Sequence, residues 1–127
     1  MNKLLVEWIS KAEGDDAVAK REMEAKESNY DAICFHSQQM AEKYLKAFLF
    51  KNGVDFPKIH GLIELLELCF PVEPSLKEHW GALERLEDYA VTYRYPGMTA
   101  DYDNAEEALL AAESIRVIMC ASLELND

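Results

Sequence analysis

The stretch that decides the fold is residues 31–53, "DAICFHSQQMAEKYLKAFLFKNG". Its apolar residues recur at spacings of three and four, which predicts a helix from about Asp31 to Lys51. The Asn52-Gly53 pair that follows is a typical helix C-terminal signal. Apolar side chains cover most of the helix circumference, so we expect it to lie centrally in a bundle or to contribute to a second interface. The polar residues share one arc of about 120°: His36, Gln39, Glu42, Lys43 and Lys46.

Helical periodicity continues on both sides of this stretch. A first helix is predicted from about Lys3 to Lys26, with its apolar residues on one stripe. A short third helix is predicted from about Gly61 to Phe70. Pro71 and Pro74 follow directly, and proline cannot continue a helix, so the third helix should stop there.

Two capping patterns predict the remaining helices. Ser75 followed by Glu78 has the form of a capping box that opens a fourth helix. That helix should end near Tyr95, because the residue before a proline disfavours the helical conformation. Asp103 with Glu106 can cap a fifth helix in the same way. No convincing strand pattern with a period of two is present.

The length of 127 residues is enough for one domain with one core. We therefore predict that residues 1–127 form a single all-α domain, an up-down antiparallel four-helix bundle plus one short helix. The formal net charge of −11 argues against a protein that holds nucleic acid through a broad basic face, because phosphate affinity comes mainly from lysine and arginine. This net charge does not exclude a local basic pocket.

Cysteine usage and hydropathy predict a cytoplasmic protein. The three cysteines are widely spaced in apolar contexts, as expected of buried, reduced thiols. No run approaches the roughly 18 apolar residues of a membrane span, and the N-terminal residues do not have the form of a signal peptide. Histidine and carboxylate residues show no metal-ligand spacing, and the five glycines form no phosphate loop, so no metal and no cofactor are predicted.

Four stretches, taken in order, resemble the HEPN family (higher eukaryotes and prokaryotes nucleotide-binding). They are "AEGD" at 12–15, "CFHSQQMAEKYLKAFLFKNG" at 34–53, "KIHGLIELL" at 58–66 and "YAVTYRYPG" at 89–97. The resemblance implies a four-helix bundle that is usually a homodimer. It also implies a partner, a minimal nucleotidyltransferase, with which such proteins often form a toxin–antitoxin pair.

The resemblance bears on catalysis through one motif. Many family members are metal-independent ribonucleases in which an Arg-x(4–6)-His motif faces a cleft between two protomers, and others are modified by the partner on a nearby tyrosine. Here Arg94 fits the arginine, but no histidine follows it, and positions 99–101 are Thr, Ala and Asp. Histidine supplies acid–base chemistry near neutral pH, whereas tyrosine and arginine are poor substitutes. The pattern therefore favours a binding protein over a ribonuclease.

Arg94 and its neighbouring tyrosines are the first candidate site. Arg94 would bind the phosphate of a nucleotide or RNA as a planar, bidentate ligand. Tyr95 or Tyr102 would stack on a base or accept a modification. The structural alternative is that Arg94 stabilises a helix C-terminus, where a cation is favourable, and that Tyr89 and Tyr93 are packing residues.

The polar arc of the second helix supplies further candidates for binding a nucleotide or the partner. In one interpretation the whole arc, from His36 to Lys46, lines the same cleft as Arg94. In the other, Glu42 and Lys46 form an ordinary (i, i+4) ion pair. Asp15 lies near an apolar stripe and needs a partner, for which Lys46 and Arg94 are the candidates.

His60, just before the short third helix, is either a cap or hinge residue or a replacement for the missing histidine of the motif. The sequence thus leaves three functional hypotheses. The first is a dimeric, toxin-side HEPN protein with a nucleotidyltransferase partner and a nucleotide site at Arg94. The second is a ribonuclease with a variant site, in which Arg94 works with Tyr102 or His60. The third is a structural bundle without a ligand.

Overall fold

The computed structural model describes residues 2–58 and 61–123. In these residues the chain is helical and contains no strand, which confirms the all-α prediction. The described elements are α1 (Lys3–Glu24), α2 (Tyr30–Lys51), α3 (Leu62–Cys69), a 3₁₀ helix (Pro74–His79), α4 (Trp80–Thr92) and α5 (Tyr102–Ser122).

Helix α2 lies at the centre of the bundle. It contacts all four of the other α-helices, which explains why it is apolar around most of its circumference. Its fully buried side chains point to several sides and form the middle of the core: Ile33, Cys34, Met40, Tyr44, Leu45 and Leu49. The prediction of a central helix is therefore confirmed.

Helices α1 and α2 run antiparallel. Near the start of α1, Trp8 lies under the ammonium group of Lys46, which is 5.5 Å from the ring centroid. Further along α1, Asp15 contacts His36, which lies earlier in α2. The order of contacts is thus reversed between the two helices.

Helices α2 and α5 run parallel. Tyr30 and Tyr102, each the first residue of its helix, meet edge to face with ring centroids 6.1 Å apart. At the other end, Lys51 Nζ donates to the carbonyl of Ser122 at 3.0 Å. A parallel relationship is expected of the second and fourth long helices of an up-down bundle.

Helix α4 runs antiparallel to α5. Arg85 pairs with Glu107, and further along α4 Tyr93 donates to Asn104, which lies earlier in α5. The four long helices therefore alternate in direction, with α3 as the additional short helix, as predicted. No helix in the described part of the chain is long and apolar enough to span a membrane.

The predicted start of the fourth helix is wrong. Residues 74–79 form a 3₁₀ helix, and α4 begins only at Trp80. The hydroxyl of Ser75 donates to Glu73 Oε1 at 2.6 Å instead of capping a helix. The helix also ends at Thr92, three residues before the predicted Tyr95, because the backbone tightens into i→i+3 hydrogen bonds beyond that point.

The predicted cap of the fifth helix is also wrong. Asp101, not Asp103, is the N-cap of α5. Its Oδ1 accepts from the backbone N–H of Asn104 at 2.8 Å, and the Asn104 side chain accepts from the Asp101 N–H at 3.1 Å. This is a reciprocal capping box in which asparagine takes the place of the usual glutamate or glutamine.

All three cysteines are free thiols, as expected. Cys34 and Cys69 are buried, and burial raises the pKa of each to about 12. Both thiols are therefore protonated at neutral pH and serve as small core side chains.

Candidate functional site

A groove of about 520 Å³ lies between α2 and α4 and has Arg94 at one end. We call it the Arg94 groove. Its lining residues come from three segments: Phe35, Gln38, Gln39 and Glu42 of α2, Gly61 before α3, and Glu87, Ala90, Val91 and Arg94 in and just after α4.

Helix geometry explains why these side chains line one groove. On α2 they stand at positions i, i+3, i+4 and i+7, which share one face of a helix. The same spacing recurs from Glu87 to Arg94. Two such rows face each other where α2 and α4 pack together, so the groove follows from the helix pairing.

Arg94 presents its guanidinium group to this groove. The side chain is exposed, and its Nε donates to the carbonyl of Ala90 at 3.2 Å. That bond satisfies a carbonyl at the C-terminus of α4, so the structural role considered from the sequence is present. No described residue forms an ion pair with Arg94, whereas the guanidinium of Arg85 is held at 2.6 Å by Glu107. The terminal nitrogens of Arg94 therefore remain available to an anion.

Glu87 is a groove residue that the sequence analysis missed. Its Oε1 accepts from the backbone N–H of Leu62 at 2.8 Å and so caps the first turn of α3 from α4. Burial, with a smaller contribution from neighbouring carboxylates that include Glu42, raises the pKa of Glu87 above its usual value. Its position seven residues before Arg94, on the same helix face, was the available signal.

The glycine at position 61 lies close to this cap. A Cβ added to Gly61 would lie 3.0 Å from Glu87 Oε1, which is tighter than nine in ten real Cβ contacts. A side chain at residue 61 would therefore require the Glu87 carboxylate to shift by a few tenths of an ångström.

Glu42 and Lys46 form a buried (i, i+4) pair, with Lys46 Nζ 3.4 Å from Glu42 Oε2. Only Glu42 lines the Arg94 groove. The ammonium group of Lys46 lies over the ring of Trp8 on another side of α2. The structure thus contains the ordinary ion pair considered from the sequence, and it places Lys46 outside the groove.

Asp15 pairs with residues other than those predicted. Its Oδ1 lies 2.8 Å from His36 Nδ1, and its Oδ2 accepts from Lys43 Nζ at 2.5 Å. The prediction that Asp15 pairs with Lys46 or Arg94 is therefore wrong. The antiparallel register of α1 and α2 sets Asp15 beside residues 36–43, whereas Lys46 lies further along, against Trp8.

A second groove, of about 410 Å³, shares lining residues with the first, and both His36 and Arg94 line it. We call it the His36 groove. Arg94 lines both grooves, as do Phe35 and Ala90. The remaining lining residues belong to the start of α2 and the end of α4: Asn29, Asp31, Ala32, His36 and Tyr93. The His36 groove is therefore lined by a guanidinium group and an imidazole.

The other tyrosine candidates lie outside both grooves. Tyr95 is 63% exposed in the turn after α4, and Tyr102 is exposed at the start of α5. The Tyr102 hydroxyl donates to Glu106 Oε2 at 2.9 Å, and this bond raises the pKa of the phenol above its usual value. Tyr89 and Tyr93 are partly buried against the core, as the packing interpretation expects.

His60 lies outside the described residues. Among residues 2–58 and 61–123, no three histidine, cysteine or acidic side chains are grouped as a metal site.

The chain is similar to known proteins over most of its length. The HEPN domain family model matches residues 5–123. A protein of Methanocaldococcus jannaschii named "Putative toxin MJ1304" is 32% identical over 124 residues, which cover 85% of this chain and 80% of that protein. The crystal structure of ST0689, an archaeal HEPN homologue, has a TM-score of 0.74 at 24% identity and covers 96% of this chain and 98% of that one.

Proposed function

The chain belongs to the HEPN domain family, and from that premise we propose that it is the toxin-side component of a two-protein system. In this proposal it forms a homodimer, pairs with a minimal nucleotidyltransferase and binds a nucleotide or RNA phosphate through Arg94. The toxin role is supported by the relative from Methanocaldococcus jannaschii, whose name describes a toxin.

The observation that carries the proposal is the position of Arg94. It lines the Arg94 groove, and its guanidinium group has no ion pair to any described residue. A planar guanidinium with open donors is the side chain best suited to bind a phosphate in a bidentate manner.

Charge limits what the groove binds. Among the described lining residues, Glu42 and Glu87 are acidic and Arg94 is the cation, so a long polyanion would meet carboxylates as well as the guanidinium. A mononucleotide, or one phosphate of an RNA strand, fits this balance better. The exposed faces of Phe35 and Val91 offer apolar surface on which a base can pack.

Exposed apolar side chains on and near the Arg94 groove support the proposed homodimer. Phe35 is 42% exposed and Val91 45% exposed, and both line the groove, while Met98 is exposed in the turn beyond it. Apolar side chains grouped in this way are typical of a surface that another protein covers. A second copy on this face would bury them and close the groove over a bound phosphate.

Tyr102 is the proposed acceptor of a modification by the nucleotidyltransferase. Its hydroxyl is exposed at the start of α5 and already donates to Glu106. A phenol is protonated at neutral pH, and that bond raises its pKa further, so the modifying enzyme would have to supply the base. Mass spectrometry of the intact chain from its native host, with Tyr102→Phe as the control, tests for the adduct and for the co-purifying partner.

The toxin role is tested by inducing the chain alone in a bacterial host and following growth. We expect the wild type to slow growth and Arg94→Ala to restore it. Arg85→Ala is the matched control, because Arg85 is exposed and lies outside both grooves. If Arg94→Ala slows growth as much as the wild type at equal protein levels, Arg94 is not needed for toxicity. If the wild type does not slow growth, the chain is not a toxin in this host.

A further inference from the structure

We propose that the outward face of α5 is a docking surface for a basic amphipathic helix of a partner protein. This inference goes beyond the proposed function and does not depend on Arg94. No described residue of α5 lines the Arg94 groove or the His36 groove, so the surface is separate from both.

Two depressions with shared lining residues lie on this face. The first, of about 340 Å³, is lined by Ala82 of α4 and by side chains within residues 103–114 of α5. The second, of about 360 Å³, is lined by side chains of α5 from Leu110 to Val117. Leu110 and Ser114 line both depressions, and we call the two together the α5 groove. At the rise of an α-helix the groove follows about 21 Å of α5.

The first support is the exposure of two apolar side chains in this groove. Leu110 is 62% exposed and Val117 is 59% exposed, and no other large apolar side chain in the described helices is as exposed. They stand two helical turns apart, so they share one face of α5. Apolar side chains grouped on one face are typical of a surface that another protein covers, whereas scattered ones are ordinary.

The second support is the shape of this face, which fits a helix. Leu110, Ser114 and Val117 stand at positions i, i+4 and i+7, the spacing at which one helix packs into the groove of another. Ala111 and Ser114 are small, so they leave space between the two larger side chains. An apolar side chain of the partner helix would fill that space.

The third support is the charge of the groove. In the described part of the chain, its charged lining residues are all acidic: Asp103, Glu106, Glu107 and Glu113. Glu107 and Glu113 are paired with cations of this chain, but Asp103 and Glu106 form no ion pair with any described residue. These two carboxylates can therefore pair with lysine or arginine of a partner.

The helix dipole explains only part of this acidic character. Asp103 lies in the first turn of α5, where an acidic residue is favourable. The effect of the dipole falls off within that turn, so it does not account for Glu106 and Glu107. A basic partner gives these further carboxylates a role.

The same charges disfavour other occupants. A second copy of the chain would bring the same carboxylates to this face and no cation among its described lining residues. The anionic surface of a membrane or a nucleic acid would be repelled for the same reason. A helix with an apolar stripe and flanking lysine or arginine residues complements both features of the groove.

The test measures binding of a synthetic peptide to the purified chain by fluorescence anisotropy. The labelled peptide has about 16 residues, enough to follow the groove as a helix, with leucines on one face and lysine and arginine beside them. A second peptide has glutamate in place of each lysine and arginine. In about 0.15 M salt we expect the basic peptide to bind at least about tenfold more tightly than the acidic one.

The apolar contribution is tested with a matched pair of double variants. Leu110→Ser with Val117→Ser should weaken binding of the basic peptide by about tenfold, because both apolar contacts are lost. Leu4→Ser with Val6→Ser is the control, since these residues are also an exposed leucine and valine but lie on α1. The control should bind like the wild type, and all variants should keep nearly the same melting temperature.

The contribution of charge is tested in the same way. Asp103→Asn with Glu106→Gln should weaken binding by about fivefold and reduce its dependence on salt. Asp55→Asn with Glu7→Gln removes the same net charge at exposed positions outside the groove and should change little. This comparison separates a local site from attraction by the whole acidic chain.

A cross-linking experiment identifies the natural occupant. The purified chain with Ser114→p-benzoylphenylalanine is irradiated in an extract of the native host, and mass spectrometry reads the sequence of the cross-linked peptide. We expect a segment of another protein that is rich in lysine and arginine and has apolar residues at spacings of three and four. The adduct should be lost when Asp103→Asn and Glu106→Gln are added.

Each contrary result overturns the proposal at a defined point. If the basic peptide does not bind, or the acidic peptide binds equally well, the groove does not select a basic helix. If the Leu110 and Val117 double variant binds as tightly as its control, the peptide is held elsewhere by net charge. A cross-link only to the chain itself, or to no protein, would show that no basic partner occupies this face.

Discussion

Arg116 of α5 donates two hydrogen bonds to the carboxylate of Glu13 on α1, from Nε at 2.8 Å and from Nη2 at 3.0 Å. Its Nη1 donates to Glu113 at 3.0 Å, and its Nε lies 3.6 Å from an oxygen of Asp16. One guanidinium thus contacts three carboxylates at the contact of α1 and α5, two of which, Asp16 and Glu113, also pair with Lys20. The hydrogen bonds from Arg116 hold the pKa of Glu13 below the usual value.

Replacing Arg116 should therefore destabilise the fold. We expect Arg116→Met to lower the free energy of unfolding by about 1–3 kcal/mol, because three neighbouring carboxylates lose their shared cation. Urea denaturation measures the loss. Arg85→Met is the control, since Arg85 is 58% exposed and pairs with one carboxylate, and its cost should be below about 1 kcal/mol. Equal losses in the two variants would show that the three-carboxylate arrangement adds nothing.

Removing the observed cap of α5 should cost more than removing the predicted one. Asp101→Ala deletes the acceptor for the Asn104 N–H and should destabilise the protein by about 1 kcal/mol. Asp103→Ala leaves that bond intact and should cost at most about 0.5 kcal/mol through the helix dipole. Thermal unfolding of the two variants in the same buffer compares them, and the reverse order would contradict the capping box.

Glu87 should make stability fall as pH rises. Because its folded-state pKa lies above the usual value of 4.5, the folded chain holds this proton more tightly than the unfolded chain does. The stabilising effect of the proton is fully present below pH 4.5 and is lost as the pH rises through the raised pKa. Glu87→Gln keeps an oxygen for the Leu62 N–H and has no charge to desolvate.

The expected result is that Glu87→Gln has a higher melting temperature than the wild type at pH 7, and that the difference shrinks as the pH falls toward 4.5. Glu84→Gln is the control, since Glu84 is exposed on the same helix and should change little at either pH. A difference for Glu87→Gln that grows in acid would mean that the carboxylate is stabilised in its charged form.

A charge on the groove rim should separate the proposed dimer. Val91→Glu places a carboxylate on the apolar surface beside Glu87 and should convert a dimer into a monomer. Light scattering during size-exclusion chromatography gives the mass. Val117→Glu is the control, because Val117 is also exposed but lies on α5 and lines neither the Arg94 groove nor the His36 groove. A dimer that survives Val91→Glu would place the interface elsewhere.

The helices were predictable because their signal is local. The apolar spacing of residues 31–51 predicts α2 to within one residue of its observed start, since its polar residues share one arc and its apolar residues cover the rest of the helix. Caps were less predictable. Ser75 has the right sequence spacing, but its hydroxyl bonds to Glu73, and this competition cannot be read from residue types alone.

The candidate site was predictable only in part, because its residues come from separate helices. Arg94 was found from its motif. Glu87 belongs to the site through the packing of α2 on α4, and Asp15 meets His36 through the register of α1 on α2. Neither relation is encoded in a short stretch of sequence, so the polar arc of α2 was predictable, but the contact of Asp15 with His36 was not.

The parallel contact between α2 and α5 has a consequence for biosynthesis. Helix α2 is complete at residue 51, but α5 begins only at residue 102, so the ribosome adds about half of the chain before the apolar side of α2 that faces α5 is covered. Domains generally fold as units once their elements have emerged. The nascent chain therefore carries an uncovered helix through much of its synthesis and cannot assemble the core until its last helix is made. A chain released before that point would expose the side of α2 that meets α5, so truncated products should be aggregation-prone.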